Sequence, residues 1–145
     1  MIRIIYPDKK PLIKTEDGKE SVFCIIRKRW ISLTPEEWVR QNFLQYLTEA
    51  RHYPASLIAV EKQLSLGELK KRFDIVVYDK LTRPFMIIEC KEMNVDLSEN
   101  VLHQALRYNS NIQARFLVIT NGSYCFGFEK KVDRFIEIDT LPMHK

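Results

Sequence analysis

The sequence predicts an α/β protein of the α+β kind: a mixed central sheet flanked by helices, core order αβββαβ, with β-hairpin extensions at both ends. Two observations carry this. A capped amphipathic helix precedes three strand-like runs, a second amphipathic segment and a further apolar run, RFLVIT, at residues 115–120. Turn-rich, strand-like stretches then lie on either side of that core.

Residues 2–6 (IRIIY) are short and β-branched, and Pro7, Pro11 and the turn signal Glu16-Asp17-Gly18-Lys19 follow them. Residues 21–30 (SVFCIIRKRW) again read as strand, so the first 30 residues form an N-terminal hairpin or β extension. Thr34 then supplies an N-cap, Pro35 the first helical position and Glu37 the acid three residues on. Apolar side chains recur at Val39, Phe43, Tyr46, Leu47 and Ala50, which predicts a helix over about 35–50.

Three strands follow, at 56–64 (SLIAVEKQL), 71–78 (KRFDIVVY) and 85–91 (FMIIECK), separated by turns at 65–68 and 79–84. The third is a near-continuous apolar run of the kind buried on both faces. In 97–112, Val101, Ala105, Tyr108 and Ile112 share one helical stripe behind Ser98 as a cap, and 115–120 returns to strand before the Asn121-Gly122 turn. Residues 124–128 and 135–138 form a closing hairpin. No repeat, low-complexity segment or linker interrupts the chain, so 1–145 reads as one domain. Its parts are a β extension (1–30), a core (34–120) and a C-terminal hairpin and tail (121–145).

At 145 residues the chain can bury one core but not two of ordinary size, which excludes a multi-domain motor. With 46% hydrophobic and 29% charged residues it is neither disordered nor fibrous. The net charge of +4 is compatible with a polyanionic partner without demonstrating one. Cys24, Cys90 and Cys125 are odd in number and lack CxxC spacing, which argues against a disulfide framework and for a reducing compartment. Pro7 and nearby charges break the N-terminus before a signal-peptide core could form, and no apolar run approaches the roughly 20 residues of a membrane helix. The expectation is a soluble cytoplasmic protein with no membrane partner.

Asp74, Glu89 and Lys91 each interrupt an apolar strand with a charge that is costly to bury without a partner or a metal. Glu89 and Lys91, two residues apart, point to one face of their strand; if the two strands pair through the 79–84 turn, Asp74 lies beside Glu89. Two carboxylates with the Cys90 carbonyl then offer hard oxygen ligands suited to Mg²⁺ or Mn²⁺, and the Lys91 ammonium could orient water or offset phosphate charge. The plain alternative is a strand end whose charges form exposed ion pairs worth little. Gln104 and Tyr108, at i and i+4, share a helix face that could look back at the strand ends; alternatively Tyr108 is core and Gln104 its half-exposed neighbour. The basic clusters Arg27-Lys28-Arg29, beside Trp30, and Lys70-Lys71-Arg72 either track a phosphate backbone or are solvated turns. His52, His103 and His144 lack metal-ligand spacing.

The order Asp74, then Glu89-Cys90-Lys91, then Gln104-xxx-Tyr108 resembles the PD-(D/E)xK nuclease superfamily. With Thr34 to Gln41 and Leu117 to Gly122, it is more narrowly similar to the N-terminal nuclease domain of the type I restriction enzyme R subunit, in its stand-alone form. The resemblance covers about residues 30–128 and implies a restriction-endonuclease-like fold and metal-dependent DNA endonuclease activity. It implies Asp74 and Glu89 as metal-binding acids, Lys91 as catalytic lysine, and Gln104 and Tyr108 as the helix pair of the subgroup resembling the RecB nuclease. Glu37 is the choice for the first-helix acid, although a capping role would also explain it, and Glu61 is the other candidate. Phe73 stands where the family motif has proline before the aspartate. Implied partners are DNA, restriction-modification subunits or a second copy of the chain. No Walker A sequence is present, so ATP-driven translocation does not reside here. The alternative within the same fold is an inactive module that binds DNA or a protein.

Overall fold

In the computed structural model, which describes residues 1–145, the Thr34 cap does what its position predicts. Its Oγ1 accepts the Glu37 N–H at 3.0 Å, and helix α1 runs Pro35–Gln45. The helix does not continue as α to residue 50. Tyr46–Ala50 form a wider π turn, which keeps Tyr46 and Leu47 buried while the chain swings out toward Tyr53.

Strands β5 (Ile58–Leu66), β6 (Leu69–Tyr78) and β7 (Pro84–Cys90) follow as successive antiparallel neighbours, as the three apolar runs predict. Helix α2 (Glu99–Tyr108), capped by Ser98, carries the chain across to β8 (Phe116–Thr120), which pairs parallel with β7. α2 is shorter than the 97–112 stripe suggests: Asn109 caps its end, and Ile112 is buried beyond it. The core order αβββαβ is therefore that of the fold.

The expected hairpins form at both ends, and the first strand alone pairs far from its sequence neighbours. β1 (Ile2–Arg3) does not pair with its sequence neighbours but lies antiparallel on β9 (Tyr124–Lys130). β10 (Phe135–Ile138) pairs with the other half of the same β9 edge, and β9 itself continues the main sheet beside β8. The sheet thus has seven strands, in order β1-β9-β8-β7-β6-β5 with β10 on β9. Residues 21–30 are two strands rather than one. β3 (Lys19–Cys24) turns at 25–28, with Lys28 at φ 55°, and returns as β4 (Arg29–Ser32); with β2 (Ile13–Glu16) they make a separate three-stranded sheet.

Apolar side chains fill both faces of the main sheet. Val39, Phe43, Leu44 and Leu47 pack on one face against Ile75, Val77, Met86, Ile88 and Val118. On the other, Val76, Ile87, Leu117 and Ile119 meet Ile112 and the half-buried Val101, Ala105 and Leu106. The two helices differ sharply: seven residues of α1 are buried, whereas none of α2 is. No helix is long and apolar enough to cross a membrane.

Candidate active site

β6 and β7 pair with Ile75 opposite Ile88, and one step along that register Asp74 comes opposite Glu89. The Asp74 charge is felt by the Glu89 carboxyl beside it. Asp74 sits at a break in strand alternation: Phe73 and Val76 pack on one face of the sheet, Ile75 and Val77 on the other. The β5–β6 ladder skips the same point, passing from Val60↔Ile75 to Lys62↔Phe73, and Glu61 opposite has φ 51°. This irregularity turns the Asp74 carboxylate toward α1, where Arg40 donates to its Oδ1 at 2.8 Å; the Cys90 N–H donates to Oδ2, also at 2.8 Å.

Glu89 remains on the α2 side. Burial, then the charge of Asp74, push its carboxyl up to about 8, with Lys91 pulling the other way. A dication placed beside Glu89 would favour its ionised form and offset that burial. Lys91 follows the end of β7, anchored by its N–H to the Thr120 carbonyl at 2.7 Å, with its side chain exposed.

Glu89 and Lys91 line a cleft of about 860 Å³ together with Gln104 and Tyr108, as well as Arg72 and Arg107. The i, i+4 pair on α2 therefore does look back at the strand ends. Tyr108 is not core: it is 60% exposed, and Lys71 tethers it, with the ammonium 3.7 Å from the ring centre and bonded to the Tyr108 carbonyl.

Glu37 is placed elsewhere. The Thr34 cap holds its N–H, but the carboxylate does not complete a capping box. It accepts from Arg40 at 2.7 Å, and from Arg27 and Gln41 at 3.0 Å each, with 7% of the residue exposed. Glu61 meets Arg27 at 3.2 Å and Arg40 at 3.7 Å. Both candidate acids thus reach Asp74 only through the Arg40 guanidinium. Arg27 is not available to a phosphate backbone, because Glu37, Glu61 and the Cys24 sulfur occupy it. Sequence reasoning missed Arg27 and Arg40 as partners of the acids. The one local signal was the spacing of Arg40 and Gln41, three and four residues after Glu37.

No three His, Cys, Asp or Glu side chains cluster closely enough to hold a metal on their own. Asp74 and Glu89 with the Cys90 carbonyl still suit Mg²⁺, which is commonly held by one or two carboxylates and completes its shell with water and substrate phosphate. The Cys90 thiol is not a donor here: it is buried in the α1-side core, and burial pushes it well above the usual thiol range.

No curated protein matches the sequence. Residues 35–142, three-quarters of the chain, match the family described as the N terminus of the type I restriction enzyme R protein. They include the acids, the lysine and both cleft-facing residues of α2, and the chain belongs to that family.

Proposed function

We propose that this nuclease-related restriction module is a Mg²⁺- or Mn²⁺-dependent DNA endonuclease domain that hydrolyses phosphodiester bonds. The observation that carries the reading is Asp74 on the strand beside Glu89, with Glu89 lining a cleft that adds Lys91, Gln104 and Tyr108. A bound dication would supply Lewis acidity to the phosphate and a more acidic water. Asp74, oriented by Arg40 and the Cys90 N–H, and Glu89, freed of its proton, would hold it with the Cys90 carbonyl. Lys91 places a cation where charge builds on the phosphate, or orients the attacking water. Gln104 and Tyr108 line the far wall and position the strand. The three cysteines are buried and unpaired, which supports placement in the reducing cytoplasm, where DNA, other restriction-modification subunits or a second copy would be the partners.

The test is cleavage of labelled DNA in Mg²⁺ or Mn²⁺. Asp74→Ala and Lys91→Ala should each slow it by about 10²- to 10³-fold, the usual cost of losing one preorganised electrostatic contact. Undiminished cleavage in both variants overturns the assignment.

A second reading, a module that binds DNA without cutting, is favoured by one observation: both oxygens of Asp74 already have donors in Arg40 and the Cys90 N–H. Calorimetry with Mn²⁺ separates the two. Binding abolished by Glu89→Ala supports the nuclease, whereas salt-sensitive DNA binding with no metal response supports the binding module.

A further inference from the structure

Arginines meet carboxylates at some places in this chain and stand free at others, and what sets three of the free cations apart is that they share one cleft. Arg27, Arg40, Arg83 and Arg115 each have a carboxylate within ion-pair distance. Arg72, Lys91 and Arg107, which line the cleft with Glu89 as its one carboxylate, have none. Lys71 nearby is used up by its hold on Tyr108. The Arg72 Nε donates to the Glu61 carbonyl at 3.3 Å, which fixes the stem of the side chain and leaves the outer nitrogens of the fork free. Arg107 projects from the last turn of α2, with no polar partner within the fold.

Unpaired arginines beside an open cavity fit a phosphate, because the planar fork matches two of its oxygens and sheds water more easily than an ammonium. The cleft, at about 860 Å³, has room for a phosphate and the sugar atoms beside it. We infer that Arg72 and Arg107 form a phosphate subsite beside the Asp74–Glu89 centre, clamping the backbone of the same nucleic-acid strand one step from the reacting phosphate. The inference rests on the nuclease reading for the identity of the strand. Lys91 then serves the reacting phosphate, while the arginines set the strand's register and contribute a sequence-independent, salt-dependent part of the affinity.

The experiment measures binding of an end-labelled oligodeoxythymidine by fluorescence anisotropy, in EDTA, over a salt series. Arg72→Gln with Arg107→Gln should weaken binding and make the slope of log K against log salt shallower by about 1.4, at about 0.7 for each phosphate contact with a single strand. Lys80→Gln, in the turn after β6 and outside the cleft lining, should leave affinity and slope as in the wild type. Both arginines are exposed, so the double variant keeps its fold, which circular dichroism checks. Wild-type affinity and slope in the double variant overturn the inference, as does an equal loss in Lys80→Gln or a wild-type protein that binds no strand. Because binding is read without metal, a protein that binds through these arginines but cuts nothing in Mg²⁺ overturns the nuclease reading alone.

Discussion

The two faces of the central sheet treat charge in opposite ways. On the α1 face, Glu37, Arg40 and Arg27 are buried or nearly so, and every carboxylate there meets a guanidinium. On the α2 face, Arg72, Lys91 and Arg107 stand at an open cleft without an acidic partner. A buried ion needs its partner for the chain to fold, so the first set is architecture that aims Asp74. Exposed cations left unpaired cost little in the folded state and remain free for a ligand. Asp74 and Glu89 sit where the two regimes meet, one carboxyl reached from each side of the sheet.

The largest expected effect breaks the α1 side. Arg40→Ala takes the only guanidinium from Asp74 and one of three donors from Glu37, and should cost about 3 kcal/mol of unfolding free energy in a urea titration. Arg40→Lys should recover only part of it, because an ammonium cannot span both carboxylates. A loss as small as that of an exposed substitution would mean that the network does not hold the fold together.

Glu89 sharpens the comparison through pH. Its carboxyl, at about 8 in the folded chain against 4.5 ordinarily, keeps a proton that the unfolded chain releases. The stability from that proton is complete below about pH 4.5 and is lost as pH rises to about 8. Glu89→Gln does not titrate, so its urea midpoint should fall less than that of the wild type between those limits. Parallel pH profiles for the two proteins would contradict the raised value.

The smallest effect belongs to the α2 side. Lys71→Ala removes the cation over Tyr108 and should cost about 0.5–1 kcal/mol by the same titration, the range for an exposed cation–π contact. A cost approaching that of Arg40→Ala would erase the distinction between the faces.

Features legible in the sequence are those set by neighbours along the chain. Thr34, Pro35 and Glu37 announce α1 because a cap is decided within one turn. Asp74 and Glu89 could be brought together on paper because their strands are joined by a short turn, and Gln104 and Tyr108 because helical spacing places both on one face. Illegible were contacts that span the chain. Arg40 and Asp74 are 34 residues apart, and no local pattern marks which arginine answers which acid. The break at Asp74 was equally illegible, since KRFDIVVY reads as an apolar strand interrupted by one charge.

By itself, then, the sequence determined the order of the core elements, the family, and the neighbouring strands that carry Asp74, Glu89 and Lys91, because periodicity, capping and turn length are local properties. Only the tertiary structure decided that Glu37 and Glu61 meet Asp74 through Arg40, that Arg27 is occupied, and that Ile2–Arg3 closes on β9 rather than on its own hairpin. Those outcomes depend on which charges burial forces to find partners and which sheet edge is left to cover, and both are settled when the distant parts of the chain meet.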